Sequence, residues 1–138
     1  MNAQGQLFIP ALQWEQMRIE IEQHAPQEAC GLLAGSENQV IMVLPVTNAL
    51  HSPVRYRMAA REQLDAFERI DHAGLELVGI YHSHPNGPDG PSATDIAEAF
   101  YPEAVYLIWS GQDGVWSCRA FRIHSGQVQE VNLSVRNL

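Results

Sequence analysis

Lysine is missing from this sequence: all eight basic residues are arginines, set against sixteen acidic ones, and the net charge is −8 at neutral pH. A chain so charged repels a polyanion unless a basic patch overrides the balance, and its one basic cluster, Arg55, Arg57 and Arg61, is small. Nonspecific nucleic-acid binding is therefore not expected. Cysteine is scarce too. Cys30 and Cys118 are too few for a disulfide framework or a four-cysteine zinc site, so two reduced, mostly buried thiols are expected. Long apolar runs are absent: nothing approaches the roughly 18 residues of a spanning helix, and no membrane partner is expected. The opening Met1-Asn2-Ala3-Gln4-Gly5-Gln6 has neither a basic segment nor an apolar stretch behind it, which points to the cytoplasm rather than to secretion.

What is present reads as an ordinary globular chain, 46% hydrophobic and 17% charged, whose 138 residues make one domain with one core. Trp14, Met17 and Ile21 recur at helical spacing between Pro10 and His24, and Pro26 closes that helix. Ala29 to Gly35 and Val40 to Leu44 are β-rich runs around a turn at Gly35-Ser36, which suggests a hairpin. Arg55 to Met58 is a short stretch that could be extended. A second helix follows, marked by Ala60, Leu64, Phe67 and Asp71 and stopped at Gly74. Leu75 to Tyr81 reads as a buried strand running into His82-Ser83-His84-Pro85, the glycine- and proline-rich Asn86 to Pro91 as a loop, and Ser92 to Phe100 as a third helix. Val105 to Trp109, Val115 to Ile123 and Val128 to Val135 suggest a closing meander. The fold class is α+β: a mixed, mostly antiparallel, curved sheet flanked by about three helices.

Side chains two apart on a strand share a face, so His82 and His84 can aim both imidazoles at one point while Ser83 faces away. Pro85 ends the strand, and the loop returns the chain to the start of the third helix, where Asp95 can offer a carboxylate. Two imidazoles and one carboxylate leave a fourth tetrahedral position for water, which separates catalytic zinc from structural zinc. Each piece also has a plainer reading. A histidine near a strand end is commonly a hydrogen-bonded core or loop residue. Ser92-Ala93-Thr94-Asp95 reads equally as a helix start, with Ser92 as N-cap and Asp95 in the first turn. Glu28, between a helix and a strand, reads alone as a solvated loop carboxylate. Cys30 beside it invites a thiol-protease reading, yet nothing local depresses its pKa and a small buried strand residue fits better. The His-x-Glu and Pro-Cys-x-x-Cys of a zinc deaminase are absent, as is a helical His-Glu-x-x-His.

Taken together, His82-x-His84-Pro85, six residues, then Ser92-x-x-Asp95, with Glu28-Ala29-Cys30-Gly31-Leu32-Leu33 upstream, resemble the complete motif of the JAMM, or MPN-plus, metalloproteases. The resemblance runs from the first helix through Asn48, Ser52-Pro53 and Tyr56 to the strand at Val105, with no departure at the defining positions. It implies the MPN/JAMM, cytidine-deaminase-like fold and one zinc per chain, held by His82, His84 and Asp95. It further implies that Glu28 is the general base, carrying the water's proton to the leaving amine, and that Ser92 donates its hydroxyl to the developing oxyanion.

The substrate follows from the same resemblance. Eukaryotic deubiquitinating relatives carry insertions that grip ubiquitin, whereas the segment from Asn48 to Pro91 looks more like stand-alone bacterial members. Some of those act on ubiquitin-like sulfur-carrier proteins, removing a cysteine or short extension after a C-terminal Gly-Gly. A ubiquitin-like or sulfur-carrier protein partner is the expectation. The resemblance also allows a non-catalytic MPN-type scaffold, since the family includes members without the metal site; here every ligand position is filled. A DNA-repair-associated relative of the same fold is disfavoured by the net charge.

Overall fold

The computed structural model describes residues 5–137; residues 1–4, on which the expectation about secretion partly rests, lie outside the described residues. In chain order the elements are β1 (Gln6–Pro10), α1 (Ala11–His24), β2 (Cys30–Ser36), β3 (Gln39–Val46), α2 (Ala60–His72), β4 (Glu76–His84), α3 (Ala93–Ala97), β5 (Val105–Gln112), β6 (Val115–His124) and β7 (Gln127–Arg136). The strands close into a barrel in the order β1-β3-β2-β4-β5-β6-β7. β2–β3, β2–β4, β5–β6 and β6–β7 are antiparallel, while β4–β5, β1–β7 and β1–β3 are parallel. The expected α+β class, with a mixed and mostly antiparallel sheet, is what the chain forms. Among the described residues no helix is long and apolar enough to cross a membrane.

Both faces of the central strands are covered, so β4 and β5 read as nearly unbroken apolar runs rather than alternating ones. One face packs Leu32, Ile80, Tyr106 and Ile108 against Ala66, Phe67 and Ile70 of α2. The other packs Leu33, Tyr81, Leu107 and Trp109 against Met17 and Ile21 of α1, and Trp14 lies 4.4 Å from Trp109, ring to ring. A parallel neighbour needs a long return path. The β4–β5 crossover, residues 85–104, supplies it and carries Pro88, Ser92 and Asp95 past the end of β4.

The structure corrects several expected details. β1 was not expected: its alternation of buried Leu7 and Ile9 spans five residues, too few to be read without the partner β7. Pro10, a residue suited to a first helical position, is instead the extended cap of α1. Leu64 is 53% exposed, because the inward stripe of α2 is Ala66, Phe67 and Ile70. Met58 makes only an isolated bridge to Asn48. α3 stops at Ala97 rather than Phe100: Pro102 disfavours helical backbone at Tyr101, whose N–H is taken by the Tyr106 hydroxyl at 3.0 Å.

The β2–β3 hairpin turns through Glu37 (φ 52°) and Asn38 (φ 59°), and the pairing register shifts between Ala34 and Gly35. At that shift the Gln39 carbonyl crosses where a side chain on residue 35 would start: an added Cβ would stand 1.8 Å from the oxygen. Backbone cannot yield as a side-chain tip can. Gly35→Ala should therefore lose at least about 2 kcal/mol in urea denaturation, whereas Gly90→Ala, with nothing within 4 Å of the new Cβ, should stay within about 0.5 kcal/mol of the parent. Equal midpoints for the two variants would show that the hairpin accommodates the clash.

Candidate active site

The site is built on the register of β2 against β4, in which Cys30 stands opposite His82. Ser83 extends that ladder: its N–H donates to the Ala29 carbonyl at 3.0 Å, and its Oγ accepts from the Ala29 N–H at 2.8 Å. One further step along the register sets Glu28 opposite His84, on the face that carries both imidazoles. The alternation of His82, Ser83 and His84 thus divides the labour, two ligand-capable rings on one side and a hydroxyl clamp on the other.

Glu28 is pinned at both backbone groups. Its N–H donates to the Ser52 carbonyl at 2.8 Å and its carbonyl accepts from Asn48 Nδ2 at 3.0 Å. Asn48 is buried and fully engaged: Nδ2 also donates to the Arg55 carbonyl at 3.0 Å, and Oδ1 accepts from the N–H groups of Leu50 at 3.0 Å and Arg57 at 3.1 Å. One side-chain amide therefore fixes the loop of residues 48–57 against Glu28.

Opposite Glu28 three groups converge. His82 Nε2 lies 3.1 Å from His84 Nε2 and 3.3 Å from Asp95 Oδ1, and His84 Nε2 lies 3.1 Å from Asp95 Oδ2. Zinc ligands at about 2.0–2.2 Å in a tetrahedron stand about 3.3 Å from one another, and the spacing between the two rings, and from each ring to its own Asp95 oxygen, is of that size. His84 Nδ1 donates to the Pro88 carbonyl at 2.8 Å, which in the neutral ring leaves Nε2 bare toward the other two groups, the tautomer a metal requires. Two ring nitrogens and two carboxylate oxygens this close need a cation among them, a proton or a metal. His82 Nδ1 is buried without a partner among the described residues; its ring is oriented instead by stacking on Tyr56, 4.6 Å between centroids and 26° between planes. Glu28 also offers an oxygen within 4.8 Å of the ligand atoms of His82 and His84.

Asp95 is held by a reciprocal capping box at the start of α3. Its N–H donates to Ser92 Oγ at 3.0 Å, and its Oδ2 accepts from the Ser92 N–H at 2.9 Å. The helix-start reading and the ligand reading of this stretch are one geometry: the cap aims the carboxylate. Ser92 Oγ, already accepting, keeps its proton free to donate into the cleft.

Environment separates the two carboxyls. Burial pushes Glu28 up to about 7; the positive charge of His84 pulls against this and the negative charge of Asp95 adds to it. Asp95 also pays for burial, yet hydrogen bonds from His82 and His84 outweigh that and hold it well below the ordinary carboxylate range. Burial drives the His82 pKa down, whereas at His84 the bonds to Asp95 and Pro88 overcome burial and drive it up. Cys30 is a free, buried thiol pushed up to about 12 by burial and then by Glu20 and Glu28, which removes the thiol-protease reading.

The structure brings all five sequence-expected residues, Glu28, His82, His84, Ser92 and Asp95, to one place. Arg55, Glu98 and the Pro88 carbonyl join them unannounced by the motif, for they act through loop contacts that spacing does not encode. Glu28, Tyr56, Ser92 and Asp95 line a narrow cleft of about 20 Å³, room for one water, and Arg55 and Glu98 meet across its mouth at 3.4 Å. A surface hollow of about 620 Å³ beside Arg122 and His124 gathers no comparable set of ligand atoms among the described residues.

Comparison with known proteins places this geometry among relatives. Residues 10–124 match the family described as prokaryotic homologs of the JAB domain. The chain is 39% identical over 122 residues to a probable TtuB-protein conjugate cleaving protease of Thermus thermophilus, covering 88% of this chain and 78% of that protein. It is 39% identical over 113 residues to a CysO-cysteine peptidase of Mycobacterium tuberculosis, covering 80% and 77%. The solution structure of protein DSY2949 from Desulfitobacterium hafniense matches with a TM-score of 0.85 at 34% identity, over 96% of this chain and 94% of that one.

The raised pKa of Glu28 carries a stability cost with a definite sign. Below pH 4.5, the ordinary value, folded and unfolded chains both hold the proton; between 4.5 and about 7 only the folded chain does, so stability is lost as pH rises through that window. Glu28→Gln escapes the loss. In the metal-free protein it should match the parent near pH 4 and exceed it by roughly 2–3 kcal/mol at pH 8, read by urea denaturation. A variant less stable than the parent at pH 8 would place the Glu28 carboxyl in a solvated setting.

Proposed function

From the premise that the chain belongs to the prokaryotic homologs of the JAB domain, we propose that it is a zinc-dependent peptidase, acting as a single domain, that hydrolyses the amide bond after the C-terminal Gly-Gly of a ubiquitin-like or sulfur-carrier protein. The membership bears out the resemblance to the JAMM, or MPN-plus, proteins and their fold. The observation that carries the proposal is the convergence of His82 and His84 on each other and on the two Asp95 oxygens at 3.1–3.3 Å, faced by a buried carboxyl raised to about 7.

In this reading His82 and His84 hold zinc through Nε2 and Asp95 through its carboxylate. Zinc, when bound, supplies a Lewis acid that activates water and polarises the scissile carbonyl. Glu28 takes the proton of the attacking water on its carboxylate and passes it to the leaving nitrogen, a shuttle that works best for a group titrating near the working pH. Ser92 donates its free O–H to the oxyanion as the carbonyl becomes tetrahedral. Tyr56, stacked on His82, keeps that ring in place.

A protein substrate is supported by the relatives, named as a probable TtuB-protein conjugate cleaving protease and a CysO-cysteine peptidase. It is also supported by Val54 and Phe100, 76% and 73% exposed, which flank the cleft and its neighbouring hollow as apolar contact points for a folded partner. Glycines in the tail let its backbone approach the ligands closely. The two free thiols suit a cytoplasmic setting. A pure scaffold has no use for an acid held near 7 beside three converging ligands.

Elemental analysis of the purified protein should find about one zinc per chain, and His82→Ala or Asp95→Ala should retain almost none. Glu28→Gln should keep zinc and fold while kcat falls by about 10³ or more; Ser92→Ala should lose about 10². Full zinc occupancy in both ligand variants would dismiss the ligand set, and near-parental kcat in Glu28→Gln would dismiss the base.

A further inference from the structure

The cleft beside Glu28 is lined by three carboxyl side chains, Glu28, Asp95 and Glu98, and, among the described residues, by a single cation, Arg55. Nη2 of Arg55 sits 3.4 Å from Oε1 of Glu98 across the mouth, with the side chains 59% and 49% exposed. An exposed pair of this kind contributes little energy and exchanges readily for a better anion. The guanidinium fork is shaped to take a carboxylate with two parallel hydrogen bonds. Its placement is built into the fold: Asn48 Nδ2 donates at 3.0 Å to the carbonyl of Arg55 and at 3.0 Å to the carbonyl of Glu28, so one amide ties the arginine's main chain to the acid's.

We infer that Arg55 is a specificity-determining residue that binds the free α-carboxylate of a single residue leaving from the carrier's C-terminus. The inference rests on the peptidase reading above and deepens it. In that reading Glu28 delivers a proton to the leaving nitrogen, and in a one-residue extension the α-carboxylate lies two bonds from that nitrogen. The substrate thus brings a negative charge into a cleft already holding Asp95 and Glu98, in a protein of net charge −8. In that reading the metal's charge is taken up by Asp95 and the reacting oxygens, so Arg55 is the side-chain cation left to pair the α-carboxylate, and it releases Glu98 to do so. An isopeptide bond to a lysine side chain has no carboxylate near its nitrogen. Arg55 therefore sets the site toward trimming a terminal residue over severing protein conjugates.

The test compares three forms of one carrier: Gly-Gly followed by one residue with a free acid, the same residue as its primary amide, and Gly-Gly joined to a lysine ε-amine. Hydrolysis by the zinc-loaded protein gives kcat/KM, and calorimetry with zinc-loaded Glu28→Gln gives Kd without turnover. The acid should exceed the amide by about 10–100-fold in both measures, as a charge-assisted hydrogen-bonded pair implies, and should exceed the isopeptide as well. Arg55→Ala, made alone and in the Glu28→Gln background, should bring the acid-to-amide ratio close to one, and Arg55→Lys should restore part of it. Equal handling of acid and amide by the parent, a preference for the isopeptide, or a ratio that survives Arg55→Ala overturns the inference while leaving the peptidase in place. A zinc-loaded protein that cuts and binds none of the three overturns the peptidase reading and the inference with it.

Discussion

The exchange of hydrogen bonds between Ala29 and Ser83 is the constraint on which the rest of the site depends. It locks β2 to β4 in the one register that sets Glu28 opposite His84. Because side chains alternate along a strand, a slip of one residue would turn Glu28 away from the imidazoles, onto the face that carries Ser83. A hydroxyl is well chosen for the clamp, since it reaches the neighbouring N–H from the face the histidines do not use. The packed faces on both sides of β4 then hold the strand in place.

Around that register the structure keeps two carboxyls that line one cleft in opposite states. Asp95 is surrounded by donors and stays charged; Glu28 has its backbone satisfied but its carboxyl enclosed, and holds its proton to near neutrality. Paired acids pushed apart in this way have distinct jobs, a fixed negative charge for the one and proton traffic for the other. The capping box shows economy of the same kind, for the bonds that begin α3 are those that orient Asp95.

Much of the site was legible in the sequence because its chemistry demands particular residue types at particular spacings. His82 and His84 share a face by strand periodicity alone, and Ser92-x-x-Asp95 is both a helix start and a carboxylate placement. Glu28 was legible only through the whole motif; its burial, at 4% exposure, comes from Ser52 and Asn48, which lie more than 19 residues away along the chain. The same holds for β1, whose partner β7 is at the other end of the chain, and for the closure of the curved sheet into a barrel. The residues that mark the turns of α2, Ala60, Leu64, Phe67 and Asp71, locate the helix, but its buried side, Ala66, Phe67 and Ile70, is chosen by the strands beneath. Contacts distant in sequence leave no periodicity to read.

The barrel has one thin seam. β1 is fastened to β7 through five residue pairs but to β3 through the single pair Phe8–Gln39, with an added bond from the Phe8 N–H to the Asn38 carbonyl. Elsewhere each strand is flanked by full ladders, which spares the molecule the exposed edges through which chains recruit one another into aggregates. Local opening is therefore cheapest where β1 meets β3, and such an excursion bares a strand edge on each side of the gap. A β1 that leaves its own barrel can complete a neighbour's, so strand exchange between molecules at high concentration is the failure to which this architecture is most exposed.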